Sequence, residues 1–273
     1  MKNMWIITLF TLREAMARKV FLFFAGISAL VLICSILIFS FVDTDSFNSM
    51  MMHSNEKMMM RDLVTGIEML IVNPLSGLCL LLAIFASACF VPNMLEKGNI
   101  DLLLSKPISR NQLLLGKYFG GLLVVFLNIF FLVVGVWLII SFKFSYWDFS
   151  FLSVIFIVTF TFAVLYSAIV FFGVISRSSI PGMMVAYFIF IILSPVLLLY
   201  KEKLKPVISG DLLKTVLDGI YFIIPKTAEL MGEITLKLAS GRSVDNYQPV
   251  LTSLLFLIFM LGISIFIFRK KDF

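Results

Sequence analysis

Glu96-Lys97-Gly98-Asn99-Ile100-Asp101-Leu102-Leu103-Leu104-Ser105-Lys106-Pro107-Ile108-Ser109-Arg110, running on to Gly116-Lys117, separates two strongly apolar runs, 69–95 and 118–142. This polar-rich stretch carries its own punctuation. Asn99 is placed to cap a short helix over Ile100–Ser105, and Pro107 disfavours helix at Lys106. Ser109-x-x-Gln112 then forms a capping-box pattern that opens a new helix: the Ser109 hydroxyl accepts from the Gln112 N–H, and the Gln112 side chain reaches back. The pattern predicts a short amphipathic helix hung between two membrane spans, presenting Glu96, Lys97, Asp101, Lys106 and Arg110 to water or a partner. Taken alone, it describes no more than a solvated loop with an interfacial helix.

Composition sets the environment of that loop. Hydrophobic residues make up 61% of the 273-residue chain and charged ones 14%, with a mean hydropathy of +1.07. A water-soluble domain cannot hide that much apolar surface, so a polytopic membrane protein is expected. The net charge of +6 is sorted by membrane side rather than aimed at nucleic acid. Cys34, Cys79 and Cys89 all lie in apolar runs, which indicates neither a disulfide framework nor a thiolate metal site. No cleavable signal is expected, because charges at Arg13, Glu14, Arg18 and Lys19 precede an apolar run too long for a signal core.

Six charge-free runs each exceed the roughly 20 residues that cross a bilayer. The spans are expected at about 20–42, 69–95, 112–142, 149–176, 178–200 and 246–268, within a single domain covering 1–273. The fourth and fifth are split only by Arg177, with Pro181-Gly182 just beyond, which predicts a tight helical hairpin. Pro74 and Pro195 are expected near helix ends, where a missing N–H costs least. Before the first span, residues 1–19 predict an interfacial elbow helix, with Trp5, Leu9, Leu12 and Met16 at helical spacing.

Lysine and arginine positions orient the bundle. With a cytoplasmic N-terminus, the inner side holds Lys2, Arg13, Arg18, Lys19, Lys97, Lys106, Arg110, Lys117, Arg177, Arg269, Lys270 and Lys271, against Glu14, Glu96, Asp101 and Asp272. The short outer loops carry only Lys57, Arg61 and Lys143, and the long one at 201–249 is nearly balanced in sign. Both termini and the 96–111 loop are therefore expected on the cytoplasmic side.

With that layout, the string Glu96, Gly98, Leu102, Leu103, Leu104, Ser105, Pro107, Arg110, Gly116 and Lys117 resembles the first cytoplasmic loop of type-2 ABC transporter permeases. Within that family it is similar to the six-span branch that includes the nitrous-oxide-reductase maturation permease. The resemblance implies an all-α integral membrane fold with six transmembrane helices, an elbow helix and a coupling helix between spans 2 and 3. It implies that Glu96, Gly98, Asp101, Leu102, Leu103, Leu104, Ser105, Lys106, Pro107, Arg110 and Lys117 couple the chain to an ATPase. It also implies a P-loop ATPase subunit holding ATP and magnesium, a second permease copy in a homodimer or related heterodimer, and residence in the cytoplasmic membrane of a prokaryote. An extracytoplasmic protein partner is a further expectation of that branch.

Two outer segments have their own chemistry. The 43–68 loop contains Met50, Met51, Met52 and His53, then Met58, Met59 and Met60. Thioether and imidazole are ligands that Cu(I) favours, so Met51, Met52, His53, Met58 and Met59 are a candidate metal set. Three consecutive Met cannot all face one ion, and flexible Met side chains equally suit lipid or helix packing. The outer loop at 201–245 predicts two amphipathic helices. One carries Leu212, Leu213, Val216, Leu217 and Ile220; the other follows Pro225 through Leu230, Met231, Ile234 and Leu238 and ends at Gly241 in a left-handed cap. They would either lie on headgroups or cover the mouth of a pathway.

What the spans omit narrows the function. No ionisable residue falls deep in the charge-free runs, which disfavours a proton- or sodium-driven carrier. Asn73 and Asn128 are the strongest polar groups there, and Asn128 is expected to hydrogen-bond between helices. The sequence has no Gly-x-x-x-x-Gly-Lys-Ser/Thr, and its single histidine, His53, leaves no Ser–His or His-ligated protease site. Energy for ATP-driven transport must then come from another subunit, and this chain is expected to be a permease, not an enzyme. Export is favoured over import. The alternatives are a membrane subunit that relays ATPase motion to an outer partner, and a secondary exporter with no ATPase.

Overall fold

The computed structural model describes residues 2–17, 19–41, 56–96, 98, 108–205 and 211–271, with side chains at 2–3, 19–23, 56–63 and 211–213 excepted. All regular structure among them is helical. The chain opens with α1 (Lys2–Ala17) and α2 (Lys19–Ser40), followed by α3 (Glu56–Ser87) and a short α4 (Phe90–Met94). Then come α5 (Arg110–Phe144) and, after a 3-10 turn at Phe149–Leu152, α6 (Ser153–Ser176). The next span is α-helical over Ser179–Tyr187 (α7) and Ser194–Leu199 (α8), with π-helical turns at Phe188–Leu193 and Tyr200–Leu204. The segment after it holds α9 (Asp211–Ile223), α10 (Thr227–Glu229) and α11 (Thr235–Ala239), and α12 (Gln248–Lys270) closes the described chain.

Five stretches are long and apolar enough to cross a membrane: Val64–Met94, Arg110–Phe144, Phe149–Ser176, Ser179–Leu204 and Gln248–Lys270. A shorter apolar stretch, Phe24–Ser40, belongs to α2. The all-α membrane architecture read from composition is therefore the architecture observed.

The core is centred on α5 and α6. Tyr166, Phe162, Leu165 and Ile169 of α6 and Leu132, Val136 and Ile140 of α5 are almost wholly buried. Tyr118 and Phe162 both stack on Tyr166, with ring centroids 5.3 and 5.2 Å away. Gly121 makes room for that stack: a Cβ there would lie 2.7 Å from the Tyr166 hydroxyl oxygen. The Tyr118 hydroxyl donates to the Ala163 carbonyl at 2.8 Å, joining the two helices where no water competes. Where α5 passes to α6, Trp137 donates through Nε1 to the Asp148 carbonyl at 2.9 Å, and its ring meets Trp147 and Phe149, each at 5.3 Å. This is an aromatic belt at the level expected of a headgroup interface.

Several local signals appear in the backbone as predicted. Arg177 takes a left-handed conformation (φ 55°) to end α6, and Ser178 caps α7 by accepting from the Ile180 N–H. Gly241 is left-handed (φ 62°) after α11. Asn128 is buried on α5 and accepts from the Ser28 hydroxyl of α2 at 2.9 Å, the interhelical bond expected of it.

Other positions depart from expectation. Pro74 lies inside α3 rather than near its end, because α3 begins upstream of the charge-free run. In a membrane span, neighbouring groups and local adjustments absorb the proline's missing bond. Glu68, which had marked the edge of that run, is buried within Val64–Met94. The helix thus runs on past the limit of the charge-free run and turns this carboxyl group inward. Pro195, by contrast, stands at the opening of α8, directly after a π-helical turn, at the kind of helix end expected of it. The wider turn frees the place where an α-helix would have required its N–H.

Candidate functional site

One end of the bundle is built from helix termini that hold one another. At the start of α5 the capping box is complete: the Gln112 N–H donates to Ser109 Oγ at 3.3 Å, and the Ser109 N–H donates to Gln112 Oε1 at 3.4 Å. One residue on, the Arg110 guanidinium donates to the Lys271 carbonyl at 2.6 Å and the Arg269 carbonyl at 3.2 Å. Lys271 in turn donates through Nζ to the Val174 carbonyl at 2.6 Å and the Ile175 carbonyl at 3.2 Å. Cations at helix C-termini satisfy orphan carbonyls and sit at the negative end of the macrodipole. The start of α5 is thereby fastened to α12, and the end of α12 to α6. Desolvation, with Arg177 nearby, lowers the Lys271 pKa from its ordinary value.

The predicted coupling residues divide into three groups. Glu96 is exposed just after α4, and Gly98, also exposed, adopts φ 91°, a conformation that favours glycine. Asp101, Leu102, Leu103, Leu104, Ser105, Lys106 and Pro107 lie outside the described residues, as do Met51, Met52 and His53; so do the side chains of Met58 and Met59. Arg110 and Lys117 are described, and both make intramolecular contacts. Lys117 is 4% exposed, and its Nζ donates to Glu14 Oε2 of α1 at 2.6 Å.

That placement brings forward residues that the sequence pattern did not single out. The stripe of α1 facing the bundle is Ile7, Thr8, Thr11 and Ala15, all buried, whereas Trp5, Leu9 and Met16 point outward. The buried stripe rests on α5 at Gly116 and Gly120. A weak signal was present in the Gly116-x-x-x-Gly120 spacing, a small-residue pattern that permits close helix approach.

At the opposite end of the bundle, the second helix predicted for the 201–245 segment is not laid loosely on the surface. Leu230 and Ile234 form a small cluster with Val244, against which Ile157, Phe160, Leu238 and Val250 pack. Buried Glu229 anchors the segment: it accepts from the Tyr221 hydroxyl at 2.6 Å and from Lys201 Nζ at 2.8 Å. A groove of about 580 Å³ opens beside it, lined by Gly66, Ile67, Met69, Leu70, Asn73, Pro74 and Leu236. A second groove of about 330 Å³ lies between α1, α5 and α6, lined chiefly by Met4, Trp5, Phe119, Leu122, Leu123 and Phe126.

Among the described residues, no three His, Cys, Asp or Glu side chains gather in a way that could hold a metal ion. A search of curated proteins gives no match. The family model described as ABC-2 family transporter protein matches residues 6–273, nearly the whole chain. With its apolar crossings and that match, the chain belongs to the ABC-2 transporter family, as an integral, multi-pass permease subunit of an ABC transporter.

Proposed function

We propose that this permease is an exporter, driven by a separate P-loop ATPase that docks on the 96–110 loop. The observation that carries this reading is the convergence of basic helix termini around the end of that loop. Arg110 reaches the α12 terminus at Arg269 and Lys271, and Lys271 reaches the α6 terminus beside Arg177. Base enrichment of this kind marks a cytoplasmic face, where ATP is available. A push on the loop has a mechanical route into the bundle, since α5 begins at Arg110 and that residue is tied to α12. Leu102, Leu103 and Leu104 would enter an apolar groove of the ATPase, with Glu96, Asp101, Lys106 and Arg110 setting polar register. ATP and magnesium belong to the ATPase, and a second permease copy completes the pathway. A prokaryotic cytoplasmic membrane is the setting that fits.

The substitution Leu103→Asp should abolish recovery of the ATPase with tagged permease in mild detergent, while membrane insertion is unchanged. Recovery of the ATPase at the wild-type ratio would sink the docking assignment.

A second reading gains support from the outer segment. The Glu229, Tyr221 and Lys201 network makes α9 to α11 a built structure on the outer face, from which Phe222, Ile223 and Leu236 remain exposed. Such a surface suits relay of motion to an extracytoplasmic protein. Recovery of that protein in the same eluate, with no transport by the reconstituted complex, would favour the relay. Transport by the chain reconstituted alone would instead favour a secondary exporter.

A further inference from the structure

Apolar burial alone does not describe how α1 is held. A Cβ at Gly116 would lie 2.7 Å from the Ile7 side chain, and one at Gly120 would lie 2.4 Å from Thr11 Cβ. The two helices therefore touch almost backbone to backbone. Thr8 Oγ1, which donates to the Met4 carbonyl at 3.0 Å, also lies 3.3 Å from the Gly116 carbonyl. Beside this contact, Lys117 Nζ donates to Glu14 Oε2 at 2.6 Å, with the two side chains only 5% and 26% exposed. The Lys117 ammonium also sits 5.6 Å from the centre of the Phe10 ring.

An apolar pair of similar volume would hold α1 to α5 at least as firmly, because burying two charges largely offsets their attraction. What an ion pair adds is register: in this placement of α1 the carboxylate meets the ammonium at 2.6 Å, and a rotation that turns Glu14 away from α5 parts them. Gly116, Lys117 and Gly120 lie within the first turns of α5, directly after Arg110. The loop and α1 thus act on the same end of the same helix.

We propose that α1 and α5 move as one rigid lever, with Glu14 and Lys117 as positioning residues that keep the interfacial helix in register with the ATPase-coupled loop. The inference rests on the docking reading above. Displacement of the loop would then move α1 along the membrane boundary rather than leave it as a passive anchor.

The test uses the permease together with its co-purifying ATPase in liposomes, comparing Glu14→Lys, Lys117→Glu and the double reversal. Each single reversal places like charges together. It is expected to change ATP hydrolysis per assembled complex by about fivefold or more, a coupling of ordinary allosteric size, with ATPase still bound. The double reversal is expected to restore the wild-type rate. A purely structural pair would lower the amount of complex recovered without altering the rate per complex, and that result overturns the proposal, as does a double reversal that fails to rescue.

A second measurement does not depend on the charge variants folding. Glu14→Cys with Lys117→Cys, in a chain whose Cys34, Cys79 and Cys89 are Ala, allows α1 to be locked to α5 by a short bifunctional methanethiosulfonate, which reductant removes. The locked form should hydrolyse ATP at least as fast as its own reduced form. A loss on cross-linking that reductant reverses would show that α1 must slide on α5, and would end the lever. If no ATPase accompanies the wild-type chain, the docking reading itself fails and takes the lever with it.

Discussion

Asn128 and Lys226 are buried polar residues of opposite kinds. Asn128 has its partner, Ser28, at 2.9 Å on another helix. Hydrogen bonds of this sort between membrane helices contribute about 0.6 kcal/mol on average, so the pair joins α2 to α5 without dominating stability. A double-mutant cycle of Ser28→Ala and Asn128→Leu in detergent should give a coupling of about 0.5 to 1.5 kcal/mol in thermal unfolding. Strict additivity would show that the bond contributes nothing.

Lys226, outside the spans, has no hydrogen-bond acceptor for Nζ among the described residues; the ammonium sits 4.0 Å from the centre of the Tyr221 ring and 5.4 Å from that of Phe222. Burial draws its pKa from 10.5 down to about 8, despite the favourable charge of Glu229. The folded chain therefore releases this proton near pH 8 and the unfolded chain near 10.5. The cost of the buried charge is fully present below pH 8 and is relieved as pH rises between those values. Lys226→Met should stabilise the fold at pH 7 by on the order of 1 kcal/mol after loss of the ring contacts, read as a higher melting temperature. The gain should shrink towards pH 10. An equal gain at both pH values would assign the effect to packing, and a loss at pH 7 would show that the ring contacts outweigh desolvation.

Among the elements, the α6–α7 hairpin is where sequence and packing agree most closely. Arg177 turns left-handed to end one helix, Ser178 caps the next, and Gly182 lets their backbones meet. A Cβ at Gly182 would lie 2.8 Å from the Ile169 carbonyl oxygen and 3.1 Å from its Cα, atoms that cannot rotate aside. Gly262 of α12, by contrast, has nothing within 4 Å of its added Cβ. Gly182→Leu should therefore destabilise by more than about 2 kcal/mol through overpacking. Gly262→Ala should be neutral or stabilising by about 0.5 to 1 kcal/mol, from helix propensity alone. Thermal unfolding of the two variants side by side checks the contrast; similar losses would show that α12 also packs closely in the membrane. Element boundaries were less legible than this hairpin. Glu68 seemed to end a helix and instead lies within one, because a helix follows backbone hydrogen bonding and not the limits of a charge-free run.

For the whole molecule, the basic helix termini and the aromatic belt predict one orientation in the membrane. A cysteine replacing Ser176, exposed at the inner end of α6, should react with a membrane-impermeant reagent only from the cytoplasmic side. One replacing Tyr247, exposed just before α12, should react only from outside. The reverse pattern would invert the topology and remove the 96–110 loop from the side where ATP is available.

Composition and spacing were enough to determine an all-α membrane protein, because lipid leaves helices little alternative once long charge-free runs are present. Local punctuation was equally readable: the Ser109–Gln112 capping box, the Arg177 hairpin and the Gly241 cap depend on neighbours in sequence. Only the tertiary structure decided which polar groups meet. Glu14 read only as an inner-side charge and Lys117 as part of the coupling set, yet the two pair across α1 and α5, with Lys117 buried and Glu14 partly so. Arg110 turned inward to helix termini more than 150 residues away. The physical reason is distance along the chain. Periodicity reports which face of a helix is apolar, but the partner of a buried charge is set by how separate helices cross, and that crossing depends on small residues such as Gly116 and Gly120 that carry almost no signal in one dimension.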